Sequence, residues 1–159
     1  MIRPATEADA PALRALDDEI WSYLHSPVPR SDTPFDTAGV LVDERDGEVA
    51  GYVKIGDLWP IDSVRHVREL KGLAVGPRFR GQGVARALIA AAIEHARAAG
   101  ARKLTLRVLG HNKPARDLYA SCGFEVEGNL RGLFLLGGDY VDDILMSIDL
   151  TGGDSPAST

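Results

Sequence analysis

Leu73-Ala74-Val75-Gly76-Pro77-Arg78-Phe79-Arg80-Gly81-Gln82-Gly83-Val84-Ala85 is the stretch on which the fold turns. It reads as a strand, a short turn from Arg78 to Gly83 with two arginines and two glycines, and the start of a helix. The first turn of a helix leaves backbone N–H groups unpaired and carries the positive end of the helix dipole. Glycines there let anionic oxygens come close to the backbone, because no Cβ stands in the way. Arg78 and Arg80 add full positive charge. The turn is therefore built for a phosphate or pyrophosphate.

Two kinds of phosphate turn are excluded. A nucleoside-triphosphate loop ends in Gly-Lys-Ser/Thr, whereas Gly83 is followed by Val84-Ala85. A dinucleotide fingerprint needs a third glycine where this chain has Arg86, and belongs near the start of an alternating fold.

Outward from the turn, Val67 to Val75 is a strand stopped by Gly76-Pro77, and Gly83 to Ala99 is an alanine-rich helix. Val84, Leu88, Ala91, Ala92 and His95 mark one face of that helix, and Gly100 stops it. Lys103 to Leu109 alternates as a strand. Asn112 to Ser121 is a helix ending at Gly123, and Phe124 to Glu127 and Tyr140 to Asp149 close the pattern as strands. Residues 67 to 109 should make a right-handed parallel crossover. Before the turn, Ile2 to Pro4 is a short strand. Thr6 and Asp9 precede a helix with Leu13, Leu16 and Ile20 at helical spacing, and 40 to 55 is a hairpin turning at Arg45-Asp46-Gly47. Residues 25 to 39 hold three prolines and should be mostly loop, with room for a short helix.

The 159 residues favour one domain, 1–150, followed by a polar tail, 151–159, expected to be disordered. Apolar residues at 45% suffice for a core without crosslinks. No run approaches the roughly 18–20 apolar residues of a membrane span, and MIRPATEADAPAL lacks the form of a secretory signal. The lone Cys122 makes no internal disulfide, and no Cys/His cluster has metal-ligand spacing, so no metal is expected. The expectation is a cytoplasmic protein without a structural metal. A net charge of −5 argues against a general nucleic-acid binder.

Arg78-Phe79-Arg80-Gly81-Gln82-Gly83, in its strand–turn–helix setting, resembles the coenzyme A pyrophosphate loop of the GCN5-related N-acetyltransferase (GNAT) superfamily. Asn112-Lys113-Pro114-Ala115-Arg116-Asp117-Leu118-Tyr119 followed by Gly123-Phe124 resembles that family's Asn…Tyr…Gly-Phe helix, and the order of elements matches from Ile2 to about Leu150. The resemblance implies a mixed α/β (α+β) fold. Its sheet would be mostly antiparallel and twisted, with about six or seven strands, a splayed central parallel pair and about four flanking helices. It implies that backbone groups of Leu73, Ala74 and Val75 hold the pantetheine arm of acetyl-CoA. The N–H groups of Arg80, Gly81, Gln82, Gly83, Val84 and Ala85, with Arg78 nearby, would take the pyrophosphate, while Asn112 and Arg116 line the arm or the adenine side.

An amine attacking a thioester must be neutral, so a base has to remove a proton, and the departing thiolate needs an acid. Tyr119 occupies the family's general-acid position; its plain alternative is a core tyrosine. Glu69 stands where histone-type members keep a glutamate base, at the wide end of the splayed strand. Its plain alternative is a surface carboxylate paired with Lys71 or Arg68. His66 is a second candidate base. Leu104-Thr105-Leu106-Arg107-Val108 lacks the glutamate of members acting on ribosomal N-termini. Cys122 as a nucleophile has no histidine near it in sequence, and direct attack in a ternary complex is the better reading.

Asp17, Glu19, Trp21, Tyr23, Asp36, Trp59, Tyr140, Asp142 and Asp143 are candidates for holding a cationic acceptor. Gly138 to Met146 resembles members that acetylate small amines or amino acids. The expected reaction is acetyl transfer to a primary amine of a small molecule or amino acid. The alternatives are a protein or peptide acetyltransferase and a non-catalytic acetyl-CoA-binding module. A homodimer through the C-terminal strands would follow the family's habit.

Overall fold

The computed structural model describes residues 1–152; residues 153–159, most of the expected tail, lie outside the described residues. Seven strands form one sheet: β1 (Ile2–Pro4), β2 (Val40–Arg45), β3 (Glu48–Asp57), β4 (Val67–Val75), β5 (Lys103–Leu109), β6 (Glu125–Leu136) and β7 (Asp139–Asp149). Their order is β1-β2-β3-β4-β5-β7-β6. Every pairing is antiparallel except β4 with β5. The helices are α1 (Ala10–Ile20), α2 (Val84–Ala98) and α3 (Lys113–Ser121), with short 3-10 turns at Glu7–Asp9, Asp62–Val64 and Pro77–Phe79. Among the described residues three α-helices stand where about four were expected, because the proline-bearing loop 25–39 forms no helix.

Alternation along the strands sorts the core into two layers. Leu41, Val53, Ile55, Leu70, Leu104 and Leu106 pack with α2 and α3, together with Tyr119 and Phe124. Val40, Val42, Tyr52 and Ala74 face the other way and pack with Leu13 and Leu16 of α1. The buried stripe of α2 is Val84, Leu88, Ile89, Ala92 and Ala96. The expected His95 is exposed, since the 3.6-residue period carries the stripe past it.

Two local features set the frame of the site. A Cβ on Gly51 would stand 2.6 Å from the Ala74 carbonyl oxygen and 3.1 Å from Val84 Cγ1, so only glycine lets the start of α2 lie this close to the sheet. At the N-terminus, the Asp9 carboxylate accepts from the Thr6 backbone N–H at 2.7 Å and from two Arg3 nitrogens at 2.8 and 3.0 Å, tying β1 to the entry of α1.

β6 runs on to Leu136, well past the expected Glu127. Gly137-Gly138, both at positive φ (57° and 88°), turn it into β7, a hairpin signal missed in the sequence. No helix among the described residues is long and apolar enough to cross a membrane.

Candidate active site

β4 and β5 pair in parallel over only four rungs, from Val67–Lys103 to Leu70–Leu106. β4 then continues to Val75 and β5 to Leu109 without meeting. On its other side β4 pairs with β3, and there Lys54 faces Gly72 while Ile55 faces Leu70, so Lys71 is an extra, bulged residue. A bulge bends and twists its strand. This one stands at the point where β4 leaves β5.

The space that opens is a cavity of about 560 Å³. Leu73, Ala74 and Val75 form one wall, Arg107 and Val108 of β5 another, and Asn112, Leu118 and Tyr119 a third. Ile20 at the end of α1 and Leu24 and His25 of the loop that follows also line it. The loop carrying Leu24 and His25 is held to the turn before α3 by His111 Nε2, 2.8 Å from the Tyr23 carbonyl oxygen.

At one end of this cleft α2 begins. Its N-cap is Gly83, at φ 80°, and no side chain caps the first turn, so the leading N–H groups have no protein acceptor from a cap. Gly81 is also at positive φ (76°), and a Cβ at either glycine would meet nothing within 4 Å. That is an open cradle of donors at the positive end of a helix dipole. Arg80 and Ala85 line the cavity beside it. Partial burial, and secondarily the charge of Arg80, hold the His25 pKa below its ordinary value. Gln82 belongs to the turn and donates through Nε2 to the Arg78 carbonyl at 3.1 Å.

Arg78 departs from expectation. The 3-10 turn Pro77–Phe79 carries it to the other side, where it pairs with Glu48 and lies 5.3 Å from the centroid of the Phe79 ring. Arg116 is likewise outside the cleft, donating through Nη1 to the Gly110 carbonyl at 2.9 Å. Asn112 does line it, but its Oδ1 accepts from the Ala115 backbone N–H at 3.3 Å, which makes it the N-cap of α3.

Tyr119 is buried, packs edge-on to Phe124 with ring centroids 5.9 Å apart, and forms part of the cavity wall. Burial, and to a lesser extent Cys122, push its pKa up to about 12. Glu69 lies opposite Thr105, within the paired rungs of β4 and β5 rather than at the wide end where it was expected. The ladder ends at Leu70–Leu106, so Glu69 lies just before the apex, where the strands part, and does not line the cavity. Its pKa is raised, chiefly by burial and slightly by Asp143, against the opposing charges of Lys71 and Arg107. Lys71 Nζ is 3.9 Å from its Oε1, so the suspected pairing exists but is loose; Arg68 instead pairs with Asp57. His66 is exposed and precedes β4. Cys122 is half-buried at the far end of α3, with Arg86 Nη1 3.9 Å from its sulfur, and does not line the cavity.

The sequence profile of the acetyltransferase (GNAT) family matches residues 10–124. The chain belongs to that family. Among GNAT relatives, L-amino acid N-acyltransferase MnaT from Escherichia coli (strain K12) is 31% identical over 111 residues, which cover 70% of this chain and 64% of MnaT. The L-methionine sulfoximine/L-methionine sulfone acetyltransferase of Salmonella typhimurium is 28% identical over 165 residues, with 94% of each chain covered. The structure of YncA from Salmonella typhimurium with its cofactor acetyl-CoA superposes with a TM-score of 0.81 at 26% identity, covering all of this chain and 98% of that one. The chain spans less than two thirds of the length of the first curated relatives it matches. The sheet of this GNAT chain, with its one parallel pair parted beyond Leu70, is the expected fold.

Several expected acceptor residues are committed elsewhere. Asp17 accepts from the Tyr52 hydroxyl at 2.7 Å, Asp36 pairs with Lys54 at 3.2 Å, and Asp142 accepts from the Gly132 N–H at 2.8 Å. Trp59 and Tyr140 are exposed, and Glu19 lines a different groove, beside Arg3 and Arg78. Asp143 alone of the acids joins the apex, through Arg107. Lys71 and Arg107 were seen in the sequence only as a partner for Glu69 and as a departure from another subgroup. Nothing in a one-dimensional pattern marks a bulge or brings two strands to a common apex.

Proposed function

We propose that this chain is an acetyl-CoA-dependent N-acetyltransferase acting on a primary amine of a small molecule or amino acid, by direct attack in a ternary complex. The observation that carries the reading is the cleft between β4 and β5. It runs from the uncapped, glycine-opened N-terminus of α2 to Tyr119 and the apex at Lys71 and Arg107, with Glu69 two residues behind Lys71 on β4. The donor cradle matches a pyrophosphate, and the separated backbone edges of Leu73 to Val75 match an amide-bearing arm. The names of MnaT and the sulfoximine acetyltransferase support a small amino-acid acceptor.

Acetyl-CoA supplies an activated thioester. In the transfer, the amine nitrogen bonds to the carbonyl carbon, the carbon–sulfur bond breaks, and the electron pair leaves with sulfur. Glu69, directly or through water, takes the proton the amine must lose. Tyr119 stays protonated at neutral pH. Complete proton transfer from a group near 12 to a thiolate whose acid form lies near 8.5 runs uphill by about 5 kcal/mol. Tyr119 therefore acts by donating a hydrogen bond to sulfur as negative charge builds there. Arg80 and the N–H groups of the α2 start hold the phosphates.

The same reading makes residues 1–150 one acetyltransferase domain acting in the cytoplasm. It also includes a homodimer through the C-terminal strands, where β6 is an edge strand. The test is release of free thiol from acetyl-CoA against amines, amino acids and short peptides, with Tyr119→Phe beside the wild type. Turnover on a small amine, lost in the variant while acetyl-CoA still binds by calorimetry, supports the reading. Turnover confined to peptides would move the acceptor to proteins, and failure to bind acetyl-CoA would overturn the proposal.

A further inference from the structure

The last rung joining β4 to β5 is Leu70–Leu106, and the next residue on each strand is cationic: Lys71 and Arg107. Both line the cavity, with side chains 40% and 53% exposed. We propose that Arg107 and Lys71 form a carboxylate subsite at the apex of the cleft, which makes the acceptor an α-amino acid rather than a simple amine; this rests on the acetyltransferase reading above.

Arg107 is held from behind. Its Nε lies 3.2 Å from Asp143 Oδ2, on a residue only 2% exposed, and that oxygen has no hydrogen-bond partner. The contact is an ion pair without a hydrogen bond, and no hydrogen bond among the described residues takes the two terminal guanidinium nitrogens, which are left for a planar anion. Lys71, the bulged residue, lies over Gly56, is only loosely paired with Glu69 at 3.9 Å, and supplies a second positive charge.

The apex is thus lined by two cations, Lys71 and Arg107, with a carboxylate behind each, Glu69 at 3.9 Å and Asp143 at 3.2 Å. A simple alkylammonium entering there would meet both cations. A zwitterion meets complementary charges, its carboxylate at Arg107 and Lys71 and its nitrogen toward Glu69. The phosphates of the cosubstrate do not account for the pair. The five residues from Lys71 to Val75 alone extend roughly 13 Å along the strand, and the donor cradle lies beyond them.

The experiment measures kcat/KM for L-methionine, L-leucine and L-phenylalanine against their carboxamides. The amides carry the less basic amine and so the larger neutral fraction, which means that any preference for the free acid comes from the protein. The wild type should prefer the acids by roughly tenfold to a hundredfold. Lys71→Gln and the charge-balanced double variant Arg107→Gln/Asp143→Asn should each collapse that ratio, and Arg107→Lys should restore part of it. An unchanged ratio in these variants, or a wild type that favours the amides, overturns the subsite while leaving the transfer reaction standing. If no acceptor turns over, calorimetry of L-methionine into the acetyl-CoA complex decides. Binding that is lost in the double variant keeps the subsite and removes the transfer reading, and no binding removes the subsite.

Discussion

Tyr119 lines the cleft from α3, whereas Glu69 stands on the strand that borders the gap, within the paired rungs, and each has its titration moved by burial. Removing the Tyr119 hydroxyl in Tyr119→Phe should lower kcat by roughly a hundredfold or more with little change in acetyl-CoA affinity, read by steady-state kinetics and calorimetry. Glu69 works as a base only when ionised, so kcat/KM should fall as pH drops through its raised pKa. The acid limb then lies above the range of an ordinary glutamate. Asp143→Asn removes a like charge and should move that limb to lower pH, whereas Lys71→Gln removes a cation that favours the ionised form and should move it higher. A pH profile that ignores all three groups would take Glu69 out of the mechanism.

The elements are held in place by a few close contacts. Arg3 and the Thr6 N–H hold the Asp9 carboxyl at about 2, below its ordinary 3.8. A depressed folded pKa stabilises the protein above the unfolded value, so this contribution is complete above about pH 4 and fades as pH falls toward 2. Asp9→Asn should cost about 2 kcal/mol at neutral pH, as β1 loses its tie to α1, and should flatten the acid end of the stability curve in urea titrations. Gly51 acts on α2. In Gly51→Ala the new methyl would stand 2.6 Å from the Ala74 carbonyl oxygen, so β4 or the start of α2 must shift. The expected loss is about 1–3 kcal/mol in denaturant unfolding, with weaker acetyl-CoA binding because the donor cradle moves with the helix.

At the scale of the molecule, the exposed edge is β6, twelve residues long and carrying Val126, Leu130, Leu133 and Leu135 in solvent at 43–60% exposure. A long apolar edge is a pairing surface. Sedimentation should find a dimer, and Leu133→Lys with Leu135→Lys should yield a folded monomer. A wild type that sediments as a monomer at micromolar concentration would remove the dimer from the proposal. The same hairpin shows where local patterning ran short. Asn129 to Leu136 has no clean alternation, because the pairing with β7 shifts between Leu130 and Phe134, and so only the first residues of β6 were legible. His95 was misplaced on α2 for a similar reason: one polar residue among alanines does little to show which side of a helix is wet.

The sequence by itself determined the order of elements, the family and the glycine-rich turn ahead of α2, because each rests on neighbours within a dozen residues and on the backbone geometry those neighbours impose. Only the tertiary structure decided what shares the cleft. The 3-10 turn sends Arg78 toward Glu48, Arg116 goes to its own loop, and Asn112 serves as a helix cap. A bulge at Lys71 and the end of the β4–β5 ladder bring Lys71 and Arg107 to one apex, with Glu69 and Asp143 paired behind them. Those four residues come from three strands up to 74 positions apart, and their meeting is set by sheet order and register, which no local pattern encodes.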